Sequence, residues 1–151
     1  MSRRESWWLV SNAILSFDQI LNADLLITIP DLRFTTMDIE SVRKYCLSLP
    51  HVTEDVQWEN DLLMRIGNKM FAVLSLEPES DHCMSFKCTP EKFAELVERE
   101  GINPAPYVAR YHWVALEKFN VLPASELKAL LKVAYQLVHD KLPKKIRDGL
   151  K

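Results

Sequence analysis

Two apolar runs, Leu62–Ile66 and Met70–Leu76, are separated only by Gly67-Asn68-Lys69. Glycine and asparagine are the residues that most readily accept positive φ, so a connection this short folds the chain back on itself as a β-hairpin. A third strand follows over His82–Cys88, after the polar stretch Pro78–Asp81. There Met84, Phe86 and Cys88 alternate with Cys83, Ser85 and Lys87, the period of a strand with one buried face. Three consecutive antiparallel strands then need helices to cover the apolar face they share.

The flanking segments supply those helices. Thr36 is placed to cap a helix starting near Met37, with Ile39, Val42, Cys46 and Leu49 on one face, and Pro50 ends it. His51 to Asp55 is polar and reads as a loop. Thr89-Pro90-Glu91 opens a second helix with a capping hydroxyl, proline at the first helical position and an acid in the first turn. Phe93, Leu96 and Val97 form its apolar face, and Gly101 ends it. Residues 102–110 contain two prolines and read as an ordered connection, Trp113–Phe119 as a strand stopped by Leu122-Pro123. A long helix from about Ser125 to Lys141 carries Leu127, Leu130, Leu131, Ala134, Leu137 and Val138 as its stripe. Pro143 stops it, and a short basic tail follows. The order α-βββ-α-β-α predicts the α+β class, an antiparallel sheet with helices packed on it, and no internal repeat is visible.

The chain is 151 residues long, enough for one domain with a core that needs neither disulfide nor metal. Residues 1–36 stand apart. Arg3 and Arg4 precede an apolar stretch from Trp7 to Leu15, the outline of a secretory signal. Ser11 and Asn12 interrupt that stretch, however, and no small-residue cleavage site follows. Three readings compete: translation beginning at Met37, a helical arm that packs on the domain or on a second subunit, or a leader that is cleaved or membrane-associated. The first is the expectation, with residues 37–151 forming the domain. Cys46, Cys83 and Cys88 are odd in number and lack CxxC spacing, which points to reduced thiols and a cytoplasmic location. No window approaches 18 uninterrupted apolar residues, so no membrane partner is expected.

Residue by residue, the chemistry of catalysis is hard to find. His82 and Cys88 share a strand face but stand roughly 20 Å apart, and Cys83 faces the other way, so one metal ion cannot take all three. There is no GxSxG, no cysteine in a recognisable Cys-His setting and no Walker pattern among three glycines. Acidic pairs such as Glu54-Asp55 and Glu59/Asp61 read as loop residues, as solvated charges usually are. No cofactor, metal or enzymatic activity is expected. Cys46 reads as a small apolar residue, and His112, beside Trp113, as structural.

Several stretches taken together resemble the MmcQ/YjbR family. They are Lys44-Tyr45-Cys46 followed by Leu49-Pro50, the hairpin Ile66-Gly67-Asn68-Lys69-Met70-Phe71-Ala72, Lys87-Cys88-Thr89-Pro90-Glu91, Asn103-Pro104-Ala105-Pro106-Tyr107-Val108 with His112-Trp113-Val114, and Ala134-Tyr135 with Lys141-Leu142-Pro143-Lys144-Lys145. The ordered set covers about residues 37–148. The resemblance implies a compact frataxin-like or secretion-chaperone-like arrangement and DNA binding through a double-wing motif.

The chain's own charges bear on that function. Formal net charge is -2, and residues 37–151 hold sixteen Lys/Arg against seventeen Asp/Glu, so any nucleic-acid surface must be a local one. The tail offers Lys141, Lys144, Lys145, Arg147 and Lys151 against Asp140 and Asp148. Arg65 and Lys69 lie on or beside the hairpin, and Lys87, Arg110 and His112 extend the set. The expected partner is double-stranded DNA, met at Arg65, Lys69, Lys87, Arg110, His112, Lys141, Lys144 and Lys145 through shape and phosphate charge. The alternative is a protein-binding or chaperone-like module, with a protein partner or a homodimer. Trp58, Tyr107, Tyr111 and Trp113 gather around residues 102–113, either completing a core, which is the expectation, or lining a pocket for a base or peptide.

Overall fold

A computed structural model describes residues 37–150; the expectations for residues 1–36 and for Lys151 lie outside the described residues. Helix α1 (Ile39–Ser48) is followed by β1 (Val52–Gln57), β2 (Asp61–Ile66), β3 (Lys69–Ser75) and β4 (Met84–Lys87). Then come α2 (Pro90–Leu96), β5 (Ile102–Pro104), a 3-10 turn (Ala109–Tyr111) and β6 (Trp113–Leu116). A second 3-10 turn (Phe119–Val121), α3 (Ala124–Lys141) and α4 (Lys144–Gly149) complete the order. The strands make one antiparallel sheet in the order β1-β2-β3-β4-β6-β5.

The expected α+β class is therefore the observed one, with three elements more than the spacing suggested. The segment read as a polar loop is β1, a charged edge strand held by backbone pairing along all of β2. Its Glu54 accepts from Arg43 Nε at 2.7 Å and Nη2 at 2.6 Å, a two-pronged bond that ties the edge to α1 and lowers the Glu54 pKa. The connection after α2 holds β5, three residues paired to β6. The basic tail is α4. The first helix begins at Ile39 and is capped by the Asp38 carboxylate, which accepts from the Ser41 N–H at 2.8 Å; the expected cap at Thr36 lies outside the described residues.

Register explains where the core sits. Leu62, Leu74, Met84, Leu116 and Ile102 are successive partners across five strands, and Met64, Ala72, Phe86 and Val114 form the neighbouring row. All nine are buried. The intervening row, Leu63–Val73–Ser85–Ala115–Asn103, points to the other face, because side chains alternate. Helix α3 packs on β2, β3 and β4, and α1 on β1 and α3. The stripe of α3 is the expected one, with Ala124 and Tyr135 added and Leu137 only partly covered. The Phe71 and Tyr135 rings meet edge to face at 5.7 Å.

Helix α2 forms as its sequence predicts: the Thr89 hydroxyl accepts from the Lys92 N–H at 3.2 Å and Pro90 opens the helix. Replacing Thr89 by alanine leaves that N–H without its partner and is expected to destabilise the domain by about 1 kcal/mol. Thermal unfolding checks this, and Thr89→Ser, which keeps the acceptor, should remain near wild type.

Candidate functional site

Antiparallel pairing decides which cations meet. Ile66 pairs with Lys69 across the β2–β3 turn, and Lys87 at the end of β4 pairs with Trp113 at the start of β6. Lys69, Lys87 and the segment Arg110–His112 therefore sit at the same end of the sheet. Helix α3 finishes there too, since Lys141 is near enough to lower the Lys87 pKa, an effect second to burial. The β2–β3 turn itself lies against the C-terminal segment. A Cβ built on Gly67 would stand 2.7 Å from Leu142 Cδ1 and 3.0 Å from Ile146 Cγ2. All eight cationic or imidazole residues singled out from the sequence thus gather at one end of the sheet, although they come from six separate segments.

They are not equally available. Lys69, Arg110, Lys141, Lys144 and Lys145 are exposed. Arg65 is partly engaged, 3.7 Å from Asp55 and donating to the Asn68 carbonyl at 3.4 Å. Lys87 donates to the Tyr111 carbonyl at 2.8 Å, which fixes the loop before β6. His112 serves the backbone: at φ 64 it turns the chain into β6, and its carbonyl accepts from the Cys88 N–H at 2.8 Å. Its ring meets Phe93 edge-on at 5.7 Å.

Beside this surface lies a cavity of about 580 Å³ whose lining includes His51, Tyr135, His139, Lys144, Arg147 and Asp148. The Tyr135 hydroxyl donates to the Pro50 carbonyl at 2.8 Å, and its ring stacks on His139 at 6.0 Å. Arg147 Nε is buried and has no hydrogen-bond partner among the described residues. Sequence reasoning placed Arg147 in the tail but did not see this grouping, since His51 and His139 are far apart along the chain. The one available clue was the i,i+3 spacing of Lys144 and Arg147 after a helix-opening proline.

The thiols offer no reactive group near neutral pH. Burial pushes the Cys46 and Cys83 thiols up to about 12 and Cys88 up to about 11. Of the four aromatics, Trp58, Tyr107 and Trp113 line a single cleft on the face of the sheet away from α1 and α3. Tyr111 is not among its lining; the Arg110 guanidinium lies 4.8 Å from its ring centre. Trp113 also packs with Ala105 and Ala115 as a small second core, the expected role for that residue.

The family model YjbR matches residues 47–137, which includes the hairpin, α2, β6 and most of α3. The chain belongs to the YjbR family. The Escherichia coli (strain K12) protein YjbR is 26% identical over 115 residues, covering 74% of this chain and 95% of that protein. A crystal structure of a Deinococcus radiodurans protein with the domain DUF419 aligns at a TM-score of 0.67 and 27% identity, over 78% of this chain and 89% of that one. A Pseudomonas syringae protein shares the fold at a TM-score of 0.57 and 23% identity, over 67% of this chain and 98% of its own. The family resemblance carried by the motifs is therefore correct. The family match stops short of α4, so the YjbR model covers Lys69, Lys87 and Arg110 but not Lys141, Lys144 or Lys145. No helix among the described residues is long and apolar enough to cross a membrane.

Proposed function

We propose that this YjbR-family protein binds duplex DNA, without catalysing a reaction on it, through the end of the sheet where the β2–β3 turn meets α4. The observation that carries this reading is the packing of Gly67 against Leu142 and Ile146. It makes the hairpin and the C-terminal helix one surface, and on it Lys69, Lys144 and Lys145 are exposed with Arg110 and Lys141 alongside. Two further features support it. The Lys87 pKa is lowered by burial and then by the Lys141 charge, a repulsion that a phosphate would relieve. Asp140, an acid beside this surface, is engaged by Gln136 at 2.7 Å and His139 at 3.2 Å. The contacts are phosphate contacts, so recognition follows backbone shape and charge rather than base sequence.

The test is a fluorescence-anisotropy titration of the full chain with a labelled duplex at two salt concentrations. With roughly four phosphates neutralised, the slope of log K against log salt should be near −3.6, so that a fourfold rise in salt weakens binding about 100-fold. Two duplexes of unrelated sequence should bind alike. No binding at low salt would sink the proposal; salt-insensitive binding would equally remove the phosphate basis and turn attention to protein partners.

A further inference from the structure

The cleft on the open face of the sheet has a different chemistry from the basic end. It encloses about 710 Å³, within the range of sites for small organic ligands. Trp58 is 63% exposed and Tyr107 98% exposed, yet both are held at positive φ, +51 and +68. Trp58 takes that conformation in the short turn between β1 and β2, where a hairpin requires positive φ. Neither ring makes a ring–ring or cation contact among the described residues; Trp113, 5% exposed, lines the same cleft from within the small second core.

Charge decides what those rings suit. Asp61 and His82 are in the lining, whereas no lysine or arginine is. Ser85, which is 7% exposed, also lines the cleft. A carboxylate among unoccupied aromatic faces attracts a cation and repels a phosphate. A primary ammonium is compact and strongly hydrated, and it must shed that water to meet such a wall. A methylated ammonium has no such demand and presents its positive methyl surface to ring faces. The volume leaves room for an apolar body along Met70 and Val73.

We propose that this cleft binds a small quaternary ammonium compound with an apolar or aromatic body, its cationic head held by Trp58, Tyr107 and Asp61. This site is independent of the DNA surface.

The probe is benzyltrimethylammonium, titrated into the full chain and followed by NMR at the Trp58 and Trp113 indole N–H signals. Two controls accompany it: benzylamine, which keeps the charge without the methyl groups, and 2-methyl-1-phenylpropan-2-ol, which keeps the shape without the charge. Benzyltrimethylammonium should bind about tenfold more tightly than either. Asp61→Asn and Trp58→Ala should each weaken it about fivefold while leaving the alcohol's affinity and the melting temperature unchanged. Equal binding of the alcohol would mean a merely apolar cleft. Equal binding of benzylamine would mean a simple ion pair. Either result, or no shift at these two indoles at about 10 mM probe, overturns the proposal.

Discussion

Replacing Lys69, Lys144 and Lys145 together by glutamate is expected to abolish measurable duplex binding at physiological salt and to weaken it at least about 100-fold at low salt. Each lysine is exposed, so each is free to meet a phosphate, and each reversal removes one contact and adds one repulsion. The salt slope should fall by about one for every lysine lost, from near −3.6 toward −1. Loss of fold cannot mimic this result. Lys144 and Lys145 occupy the first turn of α4, where the aligned peptide dipoles oppose a cation and favour an acid by about 0.3–1 kcal/mol each. The triple variant should therefore melt at or slightly above the wild-type temperature while losing DNA. The lysines stand where the helix itself gains nothing from a cation. The control is Lys118, Lys128 and Lys132 changed to glutamate, which alters net charge equally. Lys128 and Lys132 lie roughly 20 and 14 Å along α3 from Lys141, and Lys118 follows β6 at the far end of the sheet. That variant should lose only the small affinity expected from net charge. If both triples weaken binding alike, the sheet end is not the site.

What the sequence could show depended on how local each feature was. The hairpin was legible because its information sits in two residues: Gly67 and Asn68 take φ +56 and +68, the conformation a two-residue hairpin turn requires. Helix α2 was legible from Thr89 and Pro90 for the same reason. Strand β1 was not, because an edge strand is best protected by charge. Its Glu54 and Asp55, which look like loop residues, are there bonded to Arg43 and Arg65. Strand β5 is three residues ending in proline and exists only because β6 offers it a partner. Helix α4 is short and has no repeating apolar stripe; Ile146 lies against the hairpin turn. The candidate cations were visible as residues, but their convergence is a property of topology. The long-range partnership of Trp58 with Tyr107 and Trp113 was anticipated as a cluster, with Tyr111 wrongly included. The cavity at His51, His139 and Arg147 had no counterpart in any short stretch of sequence.

Gly67→Val tests whether hairpin and helix act as one surface. At φ +56 a β-branched residue is strained by about 1–3 kcal/mol. Its Cβ would also press on Leu142 Cδ1 at 2.7 Å and Ile146 Cγ2 at 3.0 Å. Leu142 is 4% exposed and part of the core, so its side chain has little space into which to move. The expected cost is about 3 kcal/mol, which lowers the melting temperature by roughly 10 °C in a domain of this size. Relief is available in one direction, by lifting α4 away from the turn. Amide exchange across Lys144–Gly149 should then accelerate more than exchange in β3 or α3. DNA affinity should fall although no charge has changed, because Lys69 and the pair Lys144 and Lys145 no longer share a fixed spacing. Asn68→Gly is the matching control: it accepts the same positive φ at the neighbouring turn position and should leave both α4 and binding intact. A lowered melting temperature with unchanged DNA affinity would show that the lysines of the turn and of α4 act separately, and that the packing at Gly67 serves the fold alone.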